Sequence, residues 1–131
     1  MRYLGIDFGS KRVGLALSDE GGMIAVPHAT LPNDAKLLHE VVRIARDREV
    51  AAVVFGDSKD FQMRDNKIME SARAFAEEVR KSDLAVRWHP EFMTSAQAER
   101  GTGKGLALDA SAAAVMLQSF LDHETHRANQ E

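Results

Sequence analysis

The sequence predicts one α/β domain built on a mixed five-stranded sheet, and three observations carry that expectation. Two apolar runs, Tyr3 to Ile6 and Val13 to Leu17, are joined by a short Gly/Ser turn, the pattern of a β-hairpin. The continuous apolar run Val50 to Phe55 (VAAVVF) ends at Gly56-Asp57, as strands buried on both faces of an α/β sheet do. Amphipathic stretches at helical spacing flank that run, so strand and helix alternate through the rest of the chain. With 131 residues, 44% hydrophobic and 28% charged, the chain has the size and balance of one globular domain with a real core.

The elements follow in order. Asp7 closes the first strand, and Phe8, Gly9, Ser10, Lys11 and Arg12 form the turn to the second. Met23 to Leu31 reads as a third strand behind the turn Gly21-Gly22. Pro27 removes one ladder donor from it, so an edge position or a bulge is expected. Pro32-Asn33-Asp34 starts a helix with Leu37, Leu38, Val41, Val42, Ile44 and Ala45 on its apolar face. Ser58 to Asn66 is a polar loop, and Lys67 to Lys81 a second amphipathic helix. Leu84 to Trp88 is the last short strand, stopped by His89-Pro90. A short helix from Thr94 to Arg100, a linker from Gly101 to Gly105 and a final helix from Leu106 to His123 complete the domain, expected to span 1–123, before a polar tail, 124–131. The order β-β-β-α-β-α-β-α-α gives a three-strand antiparallel meander plus parallel strands, flanked by helices on both faces. That is the order of an RNase H-like core.

Composition removes several classes of function. There are no cysteines, which excludes disulfides and thiolate metal sites and fits a reducing, cytoplasmic home. No apolar run approaches the roughly 20 residues of a membrane span, and Arg2 is followed by strand-like sequence rather than a signal peptide. The net charge of −3 is not that of a typical nucleic-acid binder, although local clustering can override the sum.

Three acids stand where apolar structure does not favour one. Asp7 ends a strand expected to be central, where a carboxylate is costly to desolvate unless it is paired or holds a metal. Glu91 follows the last strand across Pro90, which keeps the local backbone extended. Asp109 lies in the first turns of the last helix among Leu106, Ala107, Leu108, Ala110, Ala112 and Ala113, small residues that let the helix press onto the sheet. Taken singly, Asp7 also reads as a turn aspartate, Glu91 as a solvated loop acid, and Asp109 as an acid favoured by the helix dipole. Taken together, hard oxygen ligands without His or Cys select Mg²⁺ or Mn²⁺ over zinc. Two such ions support phosphodiester hydrolysis. Trp88 alternates with Val86 and reads as core rather than a base-stacking platform. His28, His39 and His89 show no paired ligand spacing, and His123 and His126 read as surface residues.

On these residues the chain resembles the YqgF/RuvX family of Holliday-junction resolvases and pre-16S rRNA nucleases. Asp7-Phe8-Gly9-Ser10-Lys11-Arg12-Val13-Gly14 is similar to its opening motif. Pro90-Glu91-Phe92-Met93-Thr94-Ser95, continuing to Ala98-Glu99-Arg100, is similar to its middle motif, and Asp109-Ala110-Ser111-Ala112-Ala113-Ala114 to its closing one. The resemblance covers nearly the whole chain. It implies Asp7, Glu91 and Asp109 as catalytic, metal-binding carboxylates holding two ions of Mg²⁺ or Mn²⁺, and branched DNA or precursor rRNA as substrate. Lys11, Arg12, Lys59, Arg64, Arg100 and Lys104 are then expected to share one face and to contact phosphates. A monomer or a homodimer is expected, and cutting two strands of a junction symmetrically needs two sites. Two departures stand out: Pro90 replaces an acid before the middle Glu, and Gly56-Asp57-Ser58-Lys59-Asp60-Phe61 replaces a loop containing Leu-Pro.

Two other readings compete. A strand, an Asp-x-Gly turn and a second strand also open the actin/hexokinase-type ATPases, which clamp nucleotide between two domains where this chain supplies one. A non-catalytic RNase H-like module that binds nucleic acid or protein is favoured by the acidic balance and the altered middle motif.

Overall fold

Alternation along the first hairpin decides which side of the sheet each residue serves. The computed structural model describes residues 1–58, 67–91 and 107–129, with 58, 67, 91, 107–109 and 126–129 described by their backbone. In β1 (Tyr3–Phe8) and β2 (Arg12–Ser18), Leu4 pairs with Leu17, Ile6 with Leu15 and Phe8 with Val13, and all but Phe8 are buried in one apolar cluster. The intervening pairs, Gly5 with Ala16 and Asp7 with Gly14, belong to the opposite face.

The sheet order is β3-β2-β1-β4-β5, with β3 (Ala25–Pro32), β4 (Ala52–Ser58) and β5 (Val86–Glu91). The meander is antiparallel, while β4 is parallel to both β1 and β5. This is the mixed five-stranded sheet that the sequence predicts. On one face, Leu37, Val41, Ile44 and Ala45 of α1 (Leu37–Asp47) and Ala76 and Val79 of α2 (Lys67–Lys81) pack on Val53 and Phe55. On the other, Ala113, Ala114, Met116, Leu117, Phe120 and Leu121 of α3 (Ala107–Asn129) cover Ala16 and Val54. Each fully buried aliphatic side chain contributes about 1.5–3 kcal/mol, so both helical layers are needed to close the sheet. Among the described residues no helix is long and apolar enough to cross a membrane.

Several boundaries differ from the sequence reading. Pro27 produces both expected effects, since β3 is an edge strand and its register slips there. Leu15 pairs with Ala29 but Ala16 with Pro27, leaving His28 as the extra residue of a bulge. β4 does not stop at Phe55 and β5 does not stop at Trp88. They extend one another through Gly56–His89, Asp57–Pro90 and Ser58–Glu91. Pro90 is tolerated because β5 is the other edge strand. The last helix, described from Ala107, runs past His123 to Asn129. The short helix expected at 94–100 and the linker at 101–105 lie outside the described residues.

Candidate active site

Parallel pairing sends the carboxyl ends of β1, β4 and β5 to the same end of the sheet, where open α/β sheets place their ligand sites. Asp7 is the penultimate residue of β1 and Glu91 the last of β5. One strand separates them, so their backbones stand roughly 10 Å apart.

Alternation puts both on the face covered by α3. In β1, Tyr3 meets Phe120 edge-on at 5.2 Å, and a Cβ on Gly5 would lie 2.9 Å from the Leu117 Cβ. Asp7 continues that series. In β5, the Arg87 guanidinium lies 5.3 Å from the Phe120 ring centre, and His89 Nε2 is hydrogen-bonded to Ser119 Oγ at 2.9 Å. Position 91 has the same parity.

The same contacts give the direction of α3. Going up β5, Arg87 pairs with Glu124 and His89 with Ser119; going up β1, Tyr3 meets Phe120 and Gly5 meets Leu117. The helix therefore runs antiparallel to both strands, and its first turn, with position 109, lies at their carboxyl ends. Backbone topology brings positions 7, 91 and 109 to one end of one face.

Asp7 is half-buried, and its partner across β2 is Gly14, which carries no side chain. On the other side the β1–β4 pairing ends at Ile6–Phe55, with Gly56 next along β4. Neither glycine stood out as a site residue in the sequence, although Gly14 falls within the opening motif. An all-carboxylate donor set at 7, 91 and 109 fits a hard divalent cation such as Mg²⁺ or Mn²⁺. Among the described residues alone, no three His, Cys, Asp or Glu side chains form a metal-holding group.

Lys11 and Arg12 are exposed on the turn that follows Asp7. Asn33, read from sequence only as part of a helix start, reaches back to this turn. Its Nδ2 donates to the Gly9 carbonyl at 2.8 Å, and its backbone N–H donates to the Lys11 carbonyl at 2.9 Å. Lys59, Arg64, Arg100 and Lys104 lie outside the described residues. Trp88 is only partly core: it stacks on Phe55 at 5.2 Å on the α2 side, yet is 37% exposed. His89 is buried, and burial followed by the nearby His123 holds its imidazole below the ordinary histidine range, against the pull of Glu124.

The family model described as "RuvX: Holliday junction resolvase" matches residues 1–123. The chain belongs to the RuvX family. A relative from Nitratidesulfovibrio vulgaris, named as a candidate pre-16S rRNA nuclease, is 36% identical over 133 residues, covering 93% of this chain and 94% of its own. A relative from Nocardia farcinica with the same name is 31% identical over 142 residues, covering 95% of this chain and 79% of its own. Among solved structures, Thermus thermophilus RuvC in complex with a Holliday junction substrate superposes with a TM-score of 0.61 at 14% identity, covering 95% of this chain and 96% of that one. The fowlpox virus Holliday junction resolvase does so with 0.58 at 14% identity, covering 94% and 99%. At such identities these likenesses establish the RNase H-like fold of this RuvX chain.

Proposed function

We propose that this RuvX-family chain is a metal-dependent endonuclease that hydrolyses phosphodiester bonds in structured nucleic acid, either four-way DNA junctions or the 5′ end of precursor 16S rRNA. The observation that carries the reading is the convergence of positions 7, 91 and 109 at the carboxyl end of one sheet face. Asp7, Glu91 and Asp109 would hold the metal. Two Mg²⁺ or Mn²⁺ ions held there would supply charge stabilisation for phosphodiester hydrolysis.

The chain's own residues do the rest. The carboxylates would hold the ions and balance their charge, and Gly14 opposite Asp7 adds no side chain there. Lys11 and Arg12 bind backbone phosphates, which positions a strand without reading its sequence. Lys59, Arg64, Arg100 and Lys104 would extend this basic surface. Symmetric cutting of a junction calls for a homodimer with two sites.

The test is cleavage of a labelled four-way DNA junction and of a labelled precursor rRNA end, each with Mg²⁺, with Mn²⁺ and with chelator. Wild type is compared with Asp7→Asn. Metal-dependent cutting that the variant loses supports the nuclease and identifies the preferred substrate. Binding without cutting by wild type supports the second reading, a non-catalytic module, which Pro90 beside Glu91 and the net charge of −3 favour.

A further inference from the structure

Pro32 closes β3 opposite Arg12, and the next residue turns back onto the hairpin. The Asn33 side chain donates to the Gly9 carbonyl at 2.8 Å while its backbone N–H donates to the Lys11 carbonyl at 2.9 Å. One residue thus grips two carbonyls of the turn that carries Lys11 and Arg12. That turn has little slack, because a Cβ on Gly9 would collide with the Arg12 carbonyl oxygen. Asn33 is half-buried, whereas both cations are exposed. The Asn33 amide is committed to the Gly9 carbonyl and does not cap α1, whose N-cap, Lys36, has no side-chain capping bond, while Asp34 Oδ1 accepts from the Lys36 N–H at 2.9 Å.

We propose that Asn33 is a positioning residue for nucleic acid, fixing the β1–β2 turn so that Lys11 and Arg12 meet backbone phosphates beside Asp7. This rests on the reading given under Proposed function. The physical basis is preorganisation. Ordering a free backbone residue costs conformational entropy, and a turn already held does not incur that cost on binding. Asn33→Asp removes the donor while keeping the size of the side chain, and a carboxylate facing the Gly9 carbonyl is repelled. Asn33→Ala removes the donor without adding charge.

The experiment measures affinity for a labelled four-way DNA junction in chelator over a salt series. Asn33→Asp and Asn33→Ala are made in wild type and in the Lys11→Ala/Arg12→Ala background, with folding checked by thermal melting. In wild type each Asn33 change is expected to weaken binding about five-fold, the size of one net hydrogen bond. The slope of log affinity against log salt should flatten by about 0.9 for each cation that leaves its phosphate. In the background lacking both cations, Asn33→Ala should have no further effect, a coupling that a merely structural role would not produce, and Asn33→Asp should keep only the repulsion of its added charge. Equal weakening in both backgrounds, or none in wild type, overturns the positioning role alone. Undiminished binding by Lys11→Ala/Arg12→Ala overturns the reading of the two cations, and the positioning role with it.

Discussion

Asp7 and Gly14 face each other across the antiparallel β1–β2 pair, on the side of the sheet that α3 covers. Directly opposed residues have Cβ positions about 4.5–5.5 Å apart, so any side chain at 14 would stand beside the Asp7 carboxylate. Valine suits a strand but would fill that space. Gly14→Val is expected to shift cleavage to higher Mg²⁺ concentration and to slow it on the order of ten-fold or more, since small misplacements in a catalytic site are costly. A Mg²⁺ titration of cleavage checks this, with circular dichroism to confirm the fold. An unchanged titration would mean the space beside Asp7 is not used.

Gly5 sets how closely α3 approaches the sheet. A Cβ there would lie 2.9 Å from the Leu117 Cβ, tighter than packed atoms tolerate. Gly5→Ala is expected to cost about 1–3 kcal/mol in urea unfolding, as overpacking does. Leu117→Ala alone should cost about 2–5 kcal/mol through the cavity it leaves. The double variant should lose less than the two together, because each change relieves the strain of the other. Strict additivity would place the two residues out of contact.

The mixed five-stranded sheet with helices on both faces was legible because apolar runs and helical periodicity encode the type and order of the elements directly. Asp7 was legible as an acid in an apolar run, and Glu91 and Asp109 gained meaning as members of a set in motif order. The ends of β4 and β5 were not. Gly56-Asp57 and His89-Pro90 are local stop signals, and they are overridden by the pairing of the two strands with each other. Asn33 was hidden for the same reason. Its bond to Gly9 spans 24 residues, while the local pattern Pro-Asn-Asp reads as a helix start. Alternation with Val86 correctly put Trp88 on the inward side of β5, but period alone does not give depth at an edge strand.

Trp88 provides a separate check on the faces of the sheet. It stacks on Phe55 and lines a cavity with Arg73, Ala76, Glu77, Arg80 and Val86, all away from the Asp7 side. Trp88→Ala is expected to destabilise the fold by about 1–3 kcal/mol, less than a fully buried tryptophan would. Affinity for a four-way junction should stay unchanged. A drop in affinity with the fold intact would give Trp88 a role as a base-stacking platform instead.

Acid should loosen the sheet at both of its edges. His28 sits at the bulge of β3, where desolvation and then the charges of Arg48 and Arg43 hold its imidazole below the usual 6.5. His89 on β5 is held below 6.5 by burial and by His123, with Glu124 opposing. Both folded-state values are depressed, so between them and 6.5 the unfolded chain binds more protons than the folded one. Stability therefore rises with pH in that window: it is fully present above about 6.5 and is lost as pH falls through the folded-state values. Urea unfolding in metal-free buffer should show a midpoint that is level above neutrality and declines below about 6.5. His28→Gln and His89→Gln should each flatten the decline, and the double variant should flatten it most. A wild-type midpoint that holds level well into acid would mean both imidazoles protonate freely, and that neither edge strand is sensitive to their charge.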